Sequence, residues 1–107
     1  MIARIWRGVA NTLANAEVYE RHVSEHVLPS LASIPGHRGA RVLRRREADR
    51  TEFLVITFWD SIAAIRKFAG EAAESAVVEP EARAVLSEYD DYVRHYEITH
   101  AARDPAA

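Results

Sequence analysis

The chain has 107 residues, a formal net charge of -2, no cysteine and 49% hydrophobic residues. That length is one domain with one modest core and little interior for a large private site, and the missing cysteines exclude disulfide scaffolds and thiolate chemistry. The charge balance argues against a nucleic-acid partner, no apolar stretch nears the ~20 residues of a membrane span, and Arg4 and Arg7 interrupt the early apolar run that a signal peptide needs, so a cytoplasmic protein is expected.

Residues 2–9 read as a strand from their β-branched and aromatic content. Asn11 and Thr12 offer capping side chains to a helix over about 13–34. Leu13, Ala16, Val23, Val27, Leu31 and Ile34 form its apolar stripe. Pro29 should kink or restart this helix, and Ile34-Pro35-Gly36 ends it. A second strand spans 39–46, a polar turn 47–50, and a third strand 51–59. In the third strand Phe53 to Trp59 is apolar on both faces, which predicts cover on both sides. Ser61 or Asp60 caps a helix from Ile62 to Ala69 that Gly70 stops. Residues 72–78 are ambiguous. Pro80 starts a second helix with Ala82, Val85, Leu86 and Tyr89 inward, and a last strand covers 92–98. The order β-α-β-β-α-β is the split βαβ, ferredoxin-like α+β fold: a four-stranded antiparallel sheet with helices on one face. Residues 1–99 form the domain, and 100–107 a frayed tail. Since the helices cover one face only, the third strand finds its second cover most simply in the sheet of a twin subunit, giving a homodimer.

Candidate chemistry gathers at a few side chains, each with a plain structural alternative. Trp59 ends the third strand at a strand-to-helix corner, where it is core or a platform for an aromatic ligand. Trp6 has the same two readings. Tyr19 and His26 border the helical stripe as cleft residues or as hydrogen-bonded boundary residues, while His22 is placed further toward solvent. His95 in the last strand is a satisfied core residue or a proton-transfer group. The run His22-Val23-Ser24-Glu25-His26 matches the inverted zinc-protease pattern, but its third ligand is not identified, Glu88 and His95 being conceivable, and the chain has no room for a protease cleft, so no metal is assigned. Arginines 38, 41, 44, 45, 46 and 50 alternate with acids on a solvated hairpin, from which Arg41 or Arg44 can reach an anionic group.

Taken in order, Ile34-Pro35-Gly36-His37-Arg38-Gly39-Ala40, Glu52-Phe53-Leu54-Val55, Trp59-Asp60-Ser61 with Ile65, Phe68 and Ala69, and His95-Tyr96-Glu97 resemble the antibiotic biosynthesis monooxygenase (ABM) family over about residues 2–98. The resemblance implies a homodimeric α+β barrel with a cleft between sheet and helices in each protomer. It implies oxygenation of a small aromatic or quinol-like molecule by molecular oxygen, with no flavin, metal or other cofactor. His95 and His26 are then the candidate catalytic bases, and Trp59, Tyr19, Trp6, Phe68 and Arg41 the candidate substrate contacts. A haem-degrading branch of the family uses an asparagine, a tryptophan and a histidine at positions where this sequence has Trp6 or Arg7, Phe68 and a residue near Val78. Two other functions fit the same fold: a non-catalytic small-molecule-binding dimer, and an isomerase or cyclase using His95 or His26 as acid and base.

Overall fold

The structure, a computed structural model, describes residues 1–102, so positions 103–107 of the expected tail lie outside the described residues. Strand β1 (Ile2–Ala10) is followed by helix α1 (Leu13–His22), a wide π-helical turn (Val23–Val27) and helix α2 (Leu28–Leu31). Strands β2 (His37–Glu47) and β3 (Arg50–Trp59) form a hairpin, and then come helix α3 (Ile62–Ala69), helix α4 (Pro80–Arg83), and strands β4 (Glu88–Tyr89) and β5 (Arg94–Glu97).

All pairings are antiparallel, in the order β2-β3-β1, with β4 and β5 both on the free edge of β1. This is the expected ferredoxin-like α+β sheet, with one difference: the last strand position is filled by two short strands, making five. The break falls at Asp90–Val93, where the chain leaves the ladder and bonds elsewhere. Ala76 N–H donates to Asp91 O at 2.9 Å, and Val93 N–H to Glu74 O at 2.8 Å.

Helix α1 starts at Thr12, whose hydroxyl accepts from Asn15 N–H at 3.1 Å. The expected restart at Pro29 is present: α1 gives way to the wide turn, and α2 begins at Leu28 with Pro29 in its first turn. A proline inside an α-helix lacks a donor and crowds the carbonyl one turn back; here Leu28 N–H reaches Val23 O, and this wider turn absorbs the mismatch so that helical backbone continues through Leu31. Ser61 caps α3 by accepting from Ala64 N–H at 3.2 Å, and Gly70 ends it in a left-handed conformation. Gly36 also has positive φ, and a Cβ there would stand 2.5 Å from the Ala64 Cβ, so the turn packs against α3 only as glycine.

The helix expected from Pro80 to Tyr89 stops after one turn. Ser87 N–H donates to Val9 O at 2.8 Å and Asp90 N–H to Arg7 O at 3.0 Å. Unpaired carbonyls on the β1 edge compete with helix propagation and capture the chain as β4. Ala82 and Leu86 are nonetheless buried as expected.

Register fixes what each sheet face carries. Arg4, Trp6, Phe53, Val55, Thr57, Trp59 and His95 share the face under the helices. Two clusters fill the space between: Tyr19, Val23, Phe53 and Leu86 at one end, and Leu31, Trp59, Ala64 and Ile65 at the other. On the opposite face lie Ile5, Leu54, Ile56 and Phe58, all half-buried, with exposed Leu43 and Tyr96.

Candidate functional site

A cleft opens between the two core clusters, enclosing about 630 Å³ counting its mouth. Arg4 and Trp6 of β1 and Val55 and Thr57 of β3 form its floor. Tyr19, His22, Val23 and Val27 form one wall, Phe68 closes one end, and residues 77–79 form the rim.

Arg4 is the charged group of the floor and is only 4% exposed. One of its terminal nitrogens, Nη1, donates to Ala73 O and lies 3.1 Å from His95 Nε2; the other, Nη2, donates to Ser75 O at 2.8 Å. The guanidinium also lies 5.6 Å from the centre of the Phe68 ring, within cation–π range. Burial pulls its pKa down to about 10, partly opposed by Glu74, so it stays charged at neutral pH. Three of its five N–H groups have these partners among the described residues, leaving two for a ligand. In the sequence, Arg4 figures only as an interruption of an apolar run. The signal that could have found it is alternation: it shares a strand face with Ile2 and Trp6, where a charge is out of place.

His95 faces Arg4 across the β1–β5 register. Burial first, and the neighbouring Arg4 cation second, lower its pKa, which favours the neutral imidazole with Nε2 accepting from Arg4. Aromatic rings pack in series from the cleft into the core. Tyr19 stacks obliquely between Trp6, at 6.1 Å between ring centres, and Phe53, at 4.8 Å. Burial raises the Tyr19 pKa, so its phenol is neutral. The Trp6 indole is fixed by donation to Asp90 O at 2.9 Å. Gly8 makes room for it, since a Cβ there would meet the indole at 2.6 Å.

Of the residues singled out from sequence, Trp6, Tyr19 and Phe68 come together in the cleft, with His95 joined to it through Arg4. Trp59 stands one layer back. It is fully buried, donates to Thr57 Oγ1 at 2.8 Å, stacks on Phe68 at 5.7 Å and meets the His37 ring edge-on at 5.0 Å. Arg41 projects from the other face of the sheet, opposite Ile56, and its position is a correction: strand parity carries it away from the cleft. The two helix histidines exchange roles. His26 is exposed, whereas His22, expected nearer solvent, is 8% exposed and lines the cleft. A helical wheel sees the helix alone; the segment around Val78 and Glu79 folds over His22 and covers it. Among the arginines of the β2–β3 hairpin, Arg38 pairs with Asp60 at 2.7 Å, Arg44 with Glu20 at 2.6 Å and Arg50 with Glu88 at 2.6 Å, all at the surface.

The family model for antibiotic biosynthesis monooxygenase matches residues 14–80, from α1 to the start of α4. The chain belongs to that family, which supports a monooxygenase-type function in general terms. No curated protein matches. Among solved structures, the haem degrader MhuD of Mycobacterium tuberculosis, with two haems in its active site, superposes with a TM-score of 0.66 at 18% identity, covering 96% of this chain and all of that one. A candidate antibiotic biosynthesis monooxygenase from Deinococcus radiodurans gives 0.65 at 13% identity, covering 97% and 98%, and one from Bacillus cereus gives 0.61 at 16%, with the same coverage. At these identities the likeness is one of fold. In the cleft, Trp6, Phe68 and Val78 stand at or near the positions that the haem-degrading resemblance would use, and none of them can ligate iron, so these residues do not fit that arrangement. No helix among the described residues is long and apolar enough to cross a membrane.

Proposed function

We propose that this protein oxygenates a small aromatic or quinol-like molecule with molecular oxygen, as a cytoplasmic homodimer whose two sheets pack face to face. The observation that carries the reading is buried Arg4 at the floor of a cleft lined by Trp6, Tyr19 and Phe68, in contact with His95. A phenol or enol O–H would displace the contact between Arg4 and His95. His95 Nε2 then takes the proton, and the Arg4 N–H groups not bound to Ala73 O and Ser75 O hold the resulting anion. The aromatic wall orients the ring and excludes water. An electron-rich anion of this kind gives one electron to oxygen. The substrate radical and superoxide combine through a new C–O bond, the peroxide takes a proton, and loss of water leaves a carbonyl at the oxidised carbon. One oxygen molecule is consumed for each carbonyl and each water formed, and the substrate supplies the electrons.

The test is oxygen uptake with anthrone- and hydroquinone-type substrates. The wild-type chain should consume oxygen. Arg4→Met and His95→Gln should each lower kcat/KM by about two orders of magnitude, the usual range for loss of an anion donor or a general base. Substrate conversion that persists at full rate without oxygen would move the assignment to an acid–base isomerase or cyclase. Ligand-induced stabilisation with no conversion would move it to a binding protein.

A further inference from the structure

We propose that His22, Glu79 and Glu81 form a site for one divalent transition-metal ion of the zinc class at the rim of the cleft. The starting point is an unsatisfied atom. His22 is more than nine-tenths buried, and its Nε2 is sealed from solvent without a hydrogen-bond partner. Buried ring nitrogens ordinarily have partners, and an orphan one marks the place of a missing water or ion. Nε2 points at the Glu79 carboxylate, with Oε1 at 3.8 Å. That is too long for a hydrogen bond. It suits two ligands of one ion: bonds of about 2.0–2.2 Å let two donor atoms stand up to roughly 4.2 Å apart.

Glu81 supplies the third donor. One ligand atom from each of His22, Glu79 and Glu81 lies within 4.8 Å of the others, and rotation of the exposed Glu81 side chain closes the remaining distance. Two carboxylates and an imidazole in one place repel or leave lone pairs unmatched until a cation joins them. Among the described residues no arginine pairs with either carboxylate, and the adjacent Arg83 donates instead to Val78 O at 3.1 Å. One imidazole nitrogen with two carboxylate oxygens is a donor set for zinc and its neighbours rather than for calcium or magnesium, which favour oxygen alone.

This set differs from the His22-x-x-Glu25-His26 pattern of the sequence. It keeps His22 and replaces the helical partners with residues flanking Pro80. His26 is exposed, its ring centre 5.8 Å from that of His22. An ion held by the new set would tie the rim segment to the end of α1 beside the cleft mouth. The site stands independently of the oxygenation reading.

The experiment uses the full chain without a histidine tag, stripped with chelator and titrated with zinc by calorimetry and with cobalt by visible absorption. One ion should bind per chain, and saturating zinc should raise Tm. His22→Ala, Glu79→Gln and Glu81→Gln should each weaken binding about tenfold or more, while His26→Ala should leave it within about twofold. Glu81 is exposed, so Glu81→Gln keeps the test sound if His22→Ala fails to fold. Three results would overturn the proposal: no binding tighter than about 100 μM, binding that survives both glutamate substitutions, or binding lost in His26→Ala.

Discussion

Along β3, alternate residues meet two different environments. Phe53, Thr57 and Trp59 are buried beneath the helices, while Leu54, Ile56 and Phe58, one residue along in each case, are only half-buried on the far side. β1 shows the same split in its charges. Arg4 on the helix side is buried and held by carbonyls and His95, whereas Arg7 on the far side pairs with Glu52 and Glu88 near solvent. The same strands therefore build a site on one face and an apolar surface on the other. A buried charge is tolerated where main-chain oxygens receive it, so the helix side accommodates chemistry. The far side, with Ile5, Leu54, Ile56 and Phe58 around exposed Leu43 and Tyr96, is suited to a second sheet.

The substitution with the largest expected effect breaks the far side. Leu54→Asp puts a carboxylate where the two sheets would meet, and burying an unpaired charge costs several kcal/mol. Light scattering should show the mass falling from twice the chain to once the chain, with the far-ultraviolet spectrum kept. A wild-type mass equal to one chain would remove the homodimer from the proposal.

On the helix side, Trp59→Ala should cost about 3–5 kcal/mol, the usual range for deleting a large core aromatic, and thermal or denaturant unfolding reads it. Trp59→Phe retains most of the packing on Phe68 and loses the donation to Thr57, so it should cost less. Because Trp59 stands behind Phe68, Trp59→Phe should change ligand affinity little, whereas Phe68→Ala should weaken it.

The third test is the pH dependence of the Arg4–His95 pair. The folded pKa of His95 is depressed below 6.5. Its contribution to stability is therefore fully present above 6.5. It declines as pH falls, because the unfolded chain takes up the proton first. His95→Gln keeps an acceptor for Arg4 without titrating. The difference between wild-type and variant melting temperatures should shift in that acidic window. The acid limb of oxygenation should likewise lie below 6.5 and vanish with the variant. A limb well above that value would assign the base elsewhere.

Strand parity, caps and stops made most of the frame legible in the sequence. β3 announces itself by being apolar on both faces, Ser61 and Gly70 bracket α3 within its observed limits, and the strand order follows from element order. The site was less legible because its groups depend on main chain. Ala73 O and Ser75 O, which hold Arg4, lie in a segment whose side chains show no period, and the cover over His22 comes from residues distant in sequence. The short α4 was hidden for the same reason: carbonyls of β1, not any side chain, end it. What the residue pattern reports is side-chain burial, and it is silent wherever backbone oxygens do the binding.

The smallest expected effect separates the two faces most cleanly. Arg41 and Arg4 are both arginines on strands of the same sheet, and of these two only Arg41 is a ligand candidate in the sequence. Opposite Ile56, Arg41 projects away from the cleft. Arg41→Ala should then leave the affinity for a cleft ligand within about twofold, because a screened charge across a sheet contributes little. Arg4→Met should lose most of that affinity for an anionic ligand. The two variants remove the same formal charge, so a generic electrostatic attraction would weaken both alike. If Arg41→Ala weakens binding as much as Arg4→Met, the ligand is held by the field of the whole domain or on the far face. The separation of the two faces would then fail at its central claim.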